Sequence, residues 1–174
     1  MAKSALTVLR TKLSLDDISK ALRITPEEAV AKFQDARITS WFAEIWGERL
    51  FNYTKHPSAN HPGSDAAIAL GDIGRFDIGV RCFFRNKIKF QKSKFIGSGR
   101  RATMADLISS IEDVERYVIV DLRQFPQLDF YPLDTKALLR LVREGKLKTN
   151  GISPARFDAW VAESFDVTVK EIEL

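Results

Sequence analysis

The chain has 174 residues, 45% hydrophobic and 10% aromatic, and carries 27 Lys and Arg against 23 Asp and Glu. That suffices for one main domain with a sizeable core. One cysteine, Cys82, and two histidines, His56 and His61, exclude an intrachain disulfide and a thiol- or histidine-rich metal site, so any metal would be a hard, oxygen-bound one.

The charge is local. Between Asp77 and Asp106 there is no acid, but Arg81, Arg85, Lys87, Lys89, Lys92, Lys94, Arg100 and Arg101 all fall there. With those eight of the 27 bases set apart, the remaining 19 are outnumbered by 23 acids, so the net +4 comes from this stretch alone. A continuous positive block in an otherwise slightly acidic chain suits a polyanion, and nucleic acid is the commonest one. The plainer reading is a lysine-rich edge strand that discourages aggregation.

The first fourteen residues hold Ser, Thr, Lys and Arg and no acid, a weak likeness to an organelle transit peptide. They lack the apolar block and cleavage site of a secretory signal, and no run reaches membrane-span length; a cytoplasmic protein with no membrane partner is expected. Residues 14 to 34 predict two short helices, because Ser14 with Asp17 and Thr25 with Glu28 have capping-box spacing and Pro26 suits a first helical position. Ile18, Leu22, Ala29, Val30 and Phe33 form their apolar side. The pair looks like a helix-turn-helix, but Arg23 stands where the turn usually has glycine, and Glu27 and Glu28 would face phosphates; a packing hairpin fits better.

A third helix is predicted at about 35 to 50, with Ile38, Trp41, Phe42, Ile45 and Trp46 on a broad apolar face and Glu44 and Glu48 four apart on one side. Residues 52 to 65 read as a loop. Strands at 66 to 70 and 75 to 84 follow, joined by the turn at 71 to 74, with a third short strand at 87 to 91. Thr103 with Asp106 caps a helix reaching about 113. The run 116 to 125 reads as a buried central strand with 128 to 133 as its hairpin partner. Helices at about 134 to 144 and 154 to 164, the second capped by Ser153 and opened by Pro154, precede a last strand in the tail. The expected organisation is an N-terminal helical hairpin over 1–35 and an α/β domain over 36–174, helices flanking a mixed central sheet.

Chemistry concentrates around the first strand pair. Asp65 directly precedes the first of these strands. On the second, period-two alternation puts Asp77, Gly79 and Arg81 on one face and Ile78, Val80 and Cys82 on the other. Carboxylates brought together beside a cation can hold Mg²⁺, or Mn²⁺, and stabilise the charge on a phosphate under attack. Taken singly, Asp65 is also a turn aspartate and Asp77 a strand-edge acid paired with an arginine.

A glutamate-bearing helix, a Pro-Gly-x-Asp loop and a hairpin whose second strand carries an acid-x-lysine element form the layout of the restriction-endonuclease-like PD-(D/E)xK nucleases, which residues 36 to 125 resemble. Glu44 and Glu48 match the helix glutamate, Asp65 the metal-binding aspartate, and Gly79-Val80-Arg81 the acid-x-lysine element. Gly79 lacks the acid, and Arg81 keeps the charge of the lysine but makes a poor base. The resemblance implies a Mg²⁺-dependent DNA endonuclease: Asp65, Asp77 and Glu48 as metal ligands, Arg81, Lys89 and Gln91 as cation and phosphate or water contacts, and Arg85, Lys87, Lys92, Lys94, Arg100 and Arg101 along double-stranded DNA. A homodimer would match two-fold DNA. The missing acid equally implies an inactive nucleic-acid-binding domain on the same frame, and a regulatory subunit meeting an acidic partner is a third reading. GSGRR before the Thr103-capped helix can cradle a phosphate or serve as a connector. Trp41, Trp46 and Trp160 are expected in the core, and Cys82 as an inert buried thiol.

Overall fold

The computed structural model describes residues 3–33, 36–57, 64–69, 75–91 and 102–173. In chain order the elements are β1 (Ser4–Lys12), α1 (Leu15–Leu22), α2 (Pro26–Phe33), α3 (Ala36–Phe51), β2 (Thr54–Lys55), β3 (Ala66–Ala69) and β4 (Arg75–Phe83). Then come α4 (Met104–Glu112), β5 (Arg116–Asp121), β6 (Gln127–Asp134), α5 (Thr135–Arg143), α6 (Pro154–Ser164) and β7 (Phe165–Glu171). The strands form one mixed sheet in the order β2-β3-β4-β5-β6-β1-β7. The pairs β4–β5 and β1–β7 are parallel and the other four antiparallel. The expected α/β architecture, a mixed sheet flanked by helices, is the one observed.

Local chemistry sets the helix starts. The Ser14 hydroxyl accepts the Asp17 N–H at 3.2 Å, and Thr25 with Glu28 exchange reciprocal bonds of 2.8 and 3.1 Å. Thr103 and Asp106 make the same box on α4, while Asp134 and Ser153 cap α5 and α6. Each such cap satisfies donors that the first turn cannot, typically worth about 1 kcal/mol. Arg23, at the turn between α1 and α2, takes φ +55°, the left-handed conformation that glycine favours.

The sheet has an apolar layer on each face. Leu107 and Ile111 of α4, Leu138 and Leu141 of α5 and Phe157 and Trp160 of α6 pack over Leu6, Val8, Tyr117, Ile119 and Leu133. Across the sheet, Tyr53, with Trp46 and Leu50 of α3 and Ile18 of α1, covers Ile78, Val80, Val118, Val120 and Phe130. β5 therefore has both faces covered: Val118, Ile119 and Val120 are at most 3% exposed. Burying each of these side chains is worth about 1.5–3 kcal/mol.

Four details differ from the sequence reading. The segment likened to a transit peptide is β1, between β6 and β7, with Leu6 and Val8 buried on alternate positions. Residues 54–55, read as loop, form the short strand β2 against β3. Residues 87–91 are no ladder strand: Ile88 makes one isolated bridge, to Ile152 in the α5–α6 connection. Trp41, expected in the core, is 55% exposed, whereas Trp46 and Trp160 are packed as expected. The predicted turn at 71–74 lies outside the described residues.

Arg123, just after β5, ties the sheet to α6. Its guanidinium meets Asp121 at 2.6 Å and Asp158 at 2.7 Å and lies 5.0 Å from the centre of the Phe83 ring. Asp121 is 8% exposed, so removing its partner strands a buried carboxylate. Arg123→Ala is expected to cost about 3 kcal/mol in urea unfolding, and Arg123→Lys to recover only part of it because a lysine cannot bridge both carboxylates in a planar fork.

Candidate functional site

Asp65 sits one residue before β3, where its N–H bonds the Ile78 carbonyl at 2.9 Å, one residue out of step with the Ala66–Ile78 pair of the β3–β4 ladder. Its carboxylate takes over where β3 stops: Oδ2 accepts the Val80 N–H at 2.8 Å and the Arg81 Nη1 at 2.6 Å. Arg81 Nη1 also donates to the Val80 carbonyl at 2.6 Å, and its guanidinium carbon lies 5.8 Å from the centre of the Tyr117 ring. The hairpin therefore brings Asp65 and Arg81 together, as the strand alternation suggested, in a partly exposed ion pair with side chains 37% and 24% exposed. Here the aspartate is occupied as a strand-end cap.

The two helix glutamates are employed elsewhere. The Glu48 carboxylate accepts the Lys55 N–H at 2.5 Å, and Glu44 pairs with the Lys55 ammonium, so both helix glutamates fasten β2 to α3. Asp77 lies in β4 opposite Ala67. Its backbone N–H donates to Glu115 Oε2 at 2.6 Å, and its carbonyl accepts the Glu115 N–H at 3.0 Å, which ties it to the entrance of β5. Among the described residues, neither Lys89 nor Gln91 bonds to Asp65, Asp77 or Arg81.

Among the described residues no three His, Cys, Asp or Glu side chains come together to hold a metal ion. The position where the nuclease layout has its acid is filled: Gly79 pairs with Tyr117 across β4–β5, and a Cβ on Gly79 would lie 2.5 Å from the Tyr117 ring. That ring is 1% exposed, packs edge-on against Phe90 at 5.3 Å and is held by a 3.1 Å bond from its hydroxyl to the Ser110 carbonyl. It has nowhere to go.

Two further groups border the site. Tyr53, which the sequence reading passed over, lies across α3: its hydroxyl donates to the Glu44 carbonyl at 3.0 Å, and its ring occupies the space over Gly47. A tyrosine six residues after a helix glycine is too common a pattern to have signalled this. Burial pushes the Tyr53 phenol and the Cys82 thiol up, the latter helped by Glu44, and burial pushes Tyr117 up to about 12. None of the three supplies an anionic nucleophile at neutral pH. The ring Nε2 of buried His56 meets the Ser64 hydroxyl at 2.8 Å, and the His56 backbone N–H donates to the Asp65 carbonyl at 3.3 Å, bracing the approach to β3.

The basic stretch leaves β4 beside this notch. Arg85, Lys87 and Lys89 are exposed, while Ile88 and Phe90 are each 1% exposed. The two Ile88–Ile152 backbone bonds, 2.9 and 3.0 Å, pin the segment to the α5–α6 connection. Gln91 is half-buried at the end of the described segment. Lys92, Lys94, Arg100, Arg101 and the rest of the GSGRR loop lie outside the described residues. Next to the bridge, Lys146, Lys148 and Arg156 line a cavity of about 360 Å³ with Trp160 and Glu163. Lys146 is paired with Glu144 and Glu163, at 3.1 and 3.0 Å. The sequence reading missed this second group, which lies in the α5–α6 connection and α6, the connection that Ile88 reaches through its pairing with Ile152.

No helix among the described residues is long and apolar enough to cross a membrane. No family model matches the chain, and no curated protein or solved structure matches it.

Proposed function

We propose that this chain is a nucleic-acid-binding domain laid out like a restriction-type nuclease and lacking its hydrolytic chemistry. One observation carries the reading: within the acid-free cationic stretch, Arg85, Lys87 and Lys89 are presented from a fixed base. Buried Ile88 and Phe90 alternate with exposed Lys87 and Lys89, so the lysines face solvent without the ordering cost of a free loop. Phosphate neutralisation by such a row releases counterions and makes binding steeply salt-dependent. Double-stranded DNA is the expected partner, because a row of point charges tracks a phosphate backbone rather than splayed bases, and the one aromatic ring among the described residues 85–91, Phe90, is buried.

The test is fluorescence anisotropy of labelled duplex DNA, single-stranded DNA and RNA across a salt series, run beside plasmid incubation with Mg²⁺, Mn²⁺ and EDTA for the parent and Asp65→Ala proteins. Duplex binding whose logarithm falls with log salt at a slope of about −3, with no cut product in any metal, is expected. Salt-insensitive binding would remove the polyanion reading in favour of a protein partner. Metal-dependent cutting that disappears in Asp65→Ala would restore the hydrolytic one.

A further inference from the structure

The sheet ends on one side at β7, whose residues from Asp166 to Glu171 are all exposed. Val167 and Val169 are 42% and 43% exposed. Among the described residues, nothing pairs with the outer edge of this strand. Sheets often blunt such an edge with charged side chains, proline, a bulge or a covering element; β7 carries Asp166, Lys170 and Glu171 but no proline, and it presents two exposed valines between those charges.

We propose that the outer edge of β7 pairs antiparallel with β7 of a second copy of this chain about a two-fold axis at Thr168, joining two sheets into one. Backbone direction is the first argument. The Ile172 N–H bonds the Arg10 carbonyl of β1 at 2.8 Å. Alternation along a strand then turns the even-numbered residues of β7 toward β1 and the N–H and C=O groups of Phe165, Val167, Val169 and Glu171 outward.

Two antiparallel copies exchange bonds only where outward residues oppose each other, which restricts the sum of opposed residue numbers to even values. Three such registers keep most of the strand paired: Val167 opposite Val167, Val167 opposite Val169, and Val169 opposite Val169. Side-chain charge selects among them. With Val167 opposite Val169, Asp166 of each copy stands opposite Lys170 of the other and Thr168 opposite Thr168. The other two registers leave Asp166 opposite Thr168 or Ile172. Opposite charges directly across a strand pair stabilise it and like charges destabilise it, and the two-fold axis uses each pair twice. The valines meet on the same face, where each register step conserves the pleat.

A second copy is also the partner with the right composition. The strand carries one Lys, one Asp and one Glu among β-branched residues, a pattern complementary to itself and to no uniformly charged surface. The inference does not depend on the nucleic-acid reading, since β7 and β4 are separated by three strands.

Sedimentation velocity of the whole chain over a concentration series tests it, with folding of each variant checked by circular dichroism; the altered side chains are exposed, so the fold is unaffected. The parent is expected to self-associate into a dimer. Lys170→Glu alone and Asp166→Lys alone each set like charges opposite one another and weaken that dimer roughly tenfold or more. Mixing these two single variants restores complementary pairs and should give a heterodimer about as strong as the parent, as should the double variant with itself. A parent that stays monomeric, or a dimer that neither single change weakens, overturns the proposal.

Discussion

Gly79→Asp is expected to destabilise the protein by about 3 kcal/mol or more and to yield no metal-dependent cleavage. The substitution writes back the acid that the nuclease layout has at this position, and by sequence alone it looks like a repair. A Cβ at position 79 would stand 2.5, 2.8 and 3.1 Å from three atoms of the Tyr117 ring. Phe90 and the Ser110 carbonyl hold that ring on its other sides. Overpacking a filled core costs about 1–3 kcal/mol, and a carboxylate forced in there adds a desolvation cost that no described cation beyond Arg81 is placed to offset. Urea unfolding of the parent, Gly79→Ala and Gly79→Asp separates the two contributions, since alanine brings the clash without the charge. A Gly79→Asp protein as stable as the parent would mean that the ring yields and that the position is open to a ligand.

Reversing two charges on the anchored segment, Lys87→Glu with Lys89→Glu, is expected to weaken duplex DNA binding tenfold or more near 0.1 M salt and to reduce the salt slope by about 2, roughly one unit for each phosphate that is no longer neutralised. Both side chains are exposed, whereas the buried Ile88 and Phe90 that fix the segment are untouched. Thermal melting should therefore be unchanged while affinity falls. Anisotropy titrations at several salt concentrations provide the readout; unaltered affinity and slope in a folded double variant would move the nucleic-acid footprint off this segment.

What could be read in advance was local. Thr103 and Asp106 announce α4 because both partners of the capping box lie within one turn. The unbroken apolar run at 117 to 120 announces β5 because only a strand covered on both faces tolerates it. The hairpin of β3 and β4 made Asp65 and Arg81 neighbours in prospect, and they are. The alternation of 87 to 90 did mark which residues face inward, but among the described residues only Ile88 finds a β-bridge partner, so the same pattern gives an anchored segment instead of a strand.

The rest depended on partners far along the chain. β1 has a modest apolar content between polar residues, and it is a strand because β6 and β7, more than a hundred residues later, supply bonding edges on both sides. The two glutamates of α3 could not be assigned from their spacing, because the residue that claims them is Lys55, beyond the helix end. Gly79 looked like a lost acid until the β4–β5 register set Tyr117 over it.

The amino-acid sequence by itself determined where helices begin, the strands β3 to β6 and where positive charge accumulates, since capping bonds, side-chain alternation and charge act over a few residues. Only the tertiary structure decided the order of the strands, the placing of Tyr117 over Gly79, the pinning of the basic segment through Ile88 to Ile152 and the open edge of β7. Each of these rests on the burial or pairing of segments distant in the chain, whose meeting is chosen by the packing of the whole sheet.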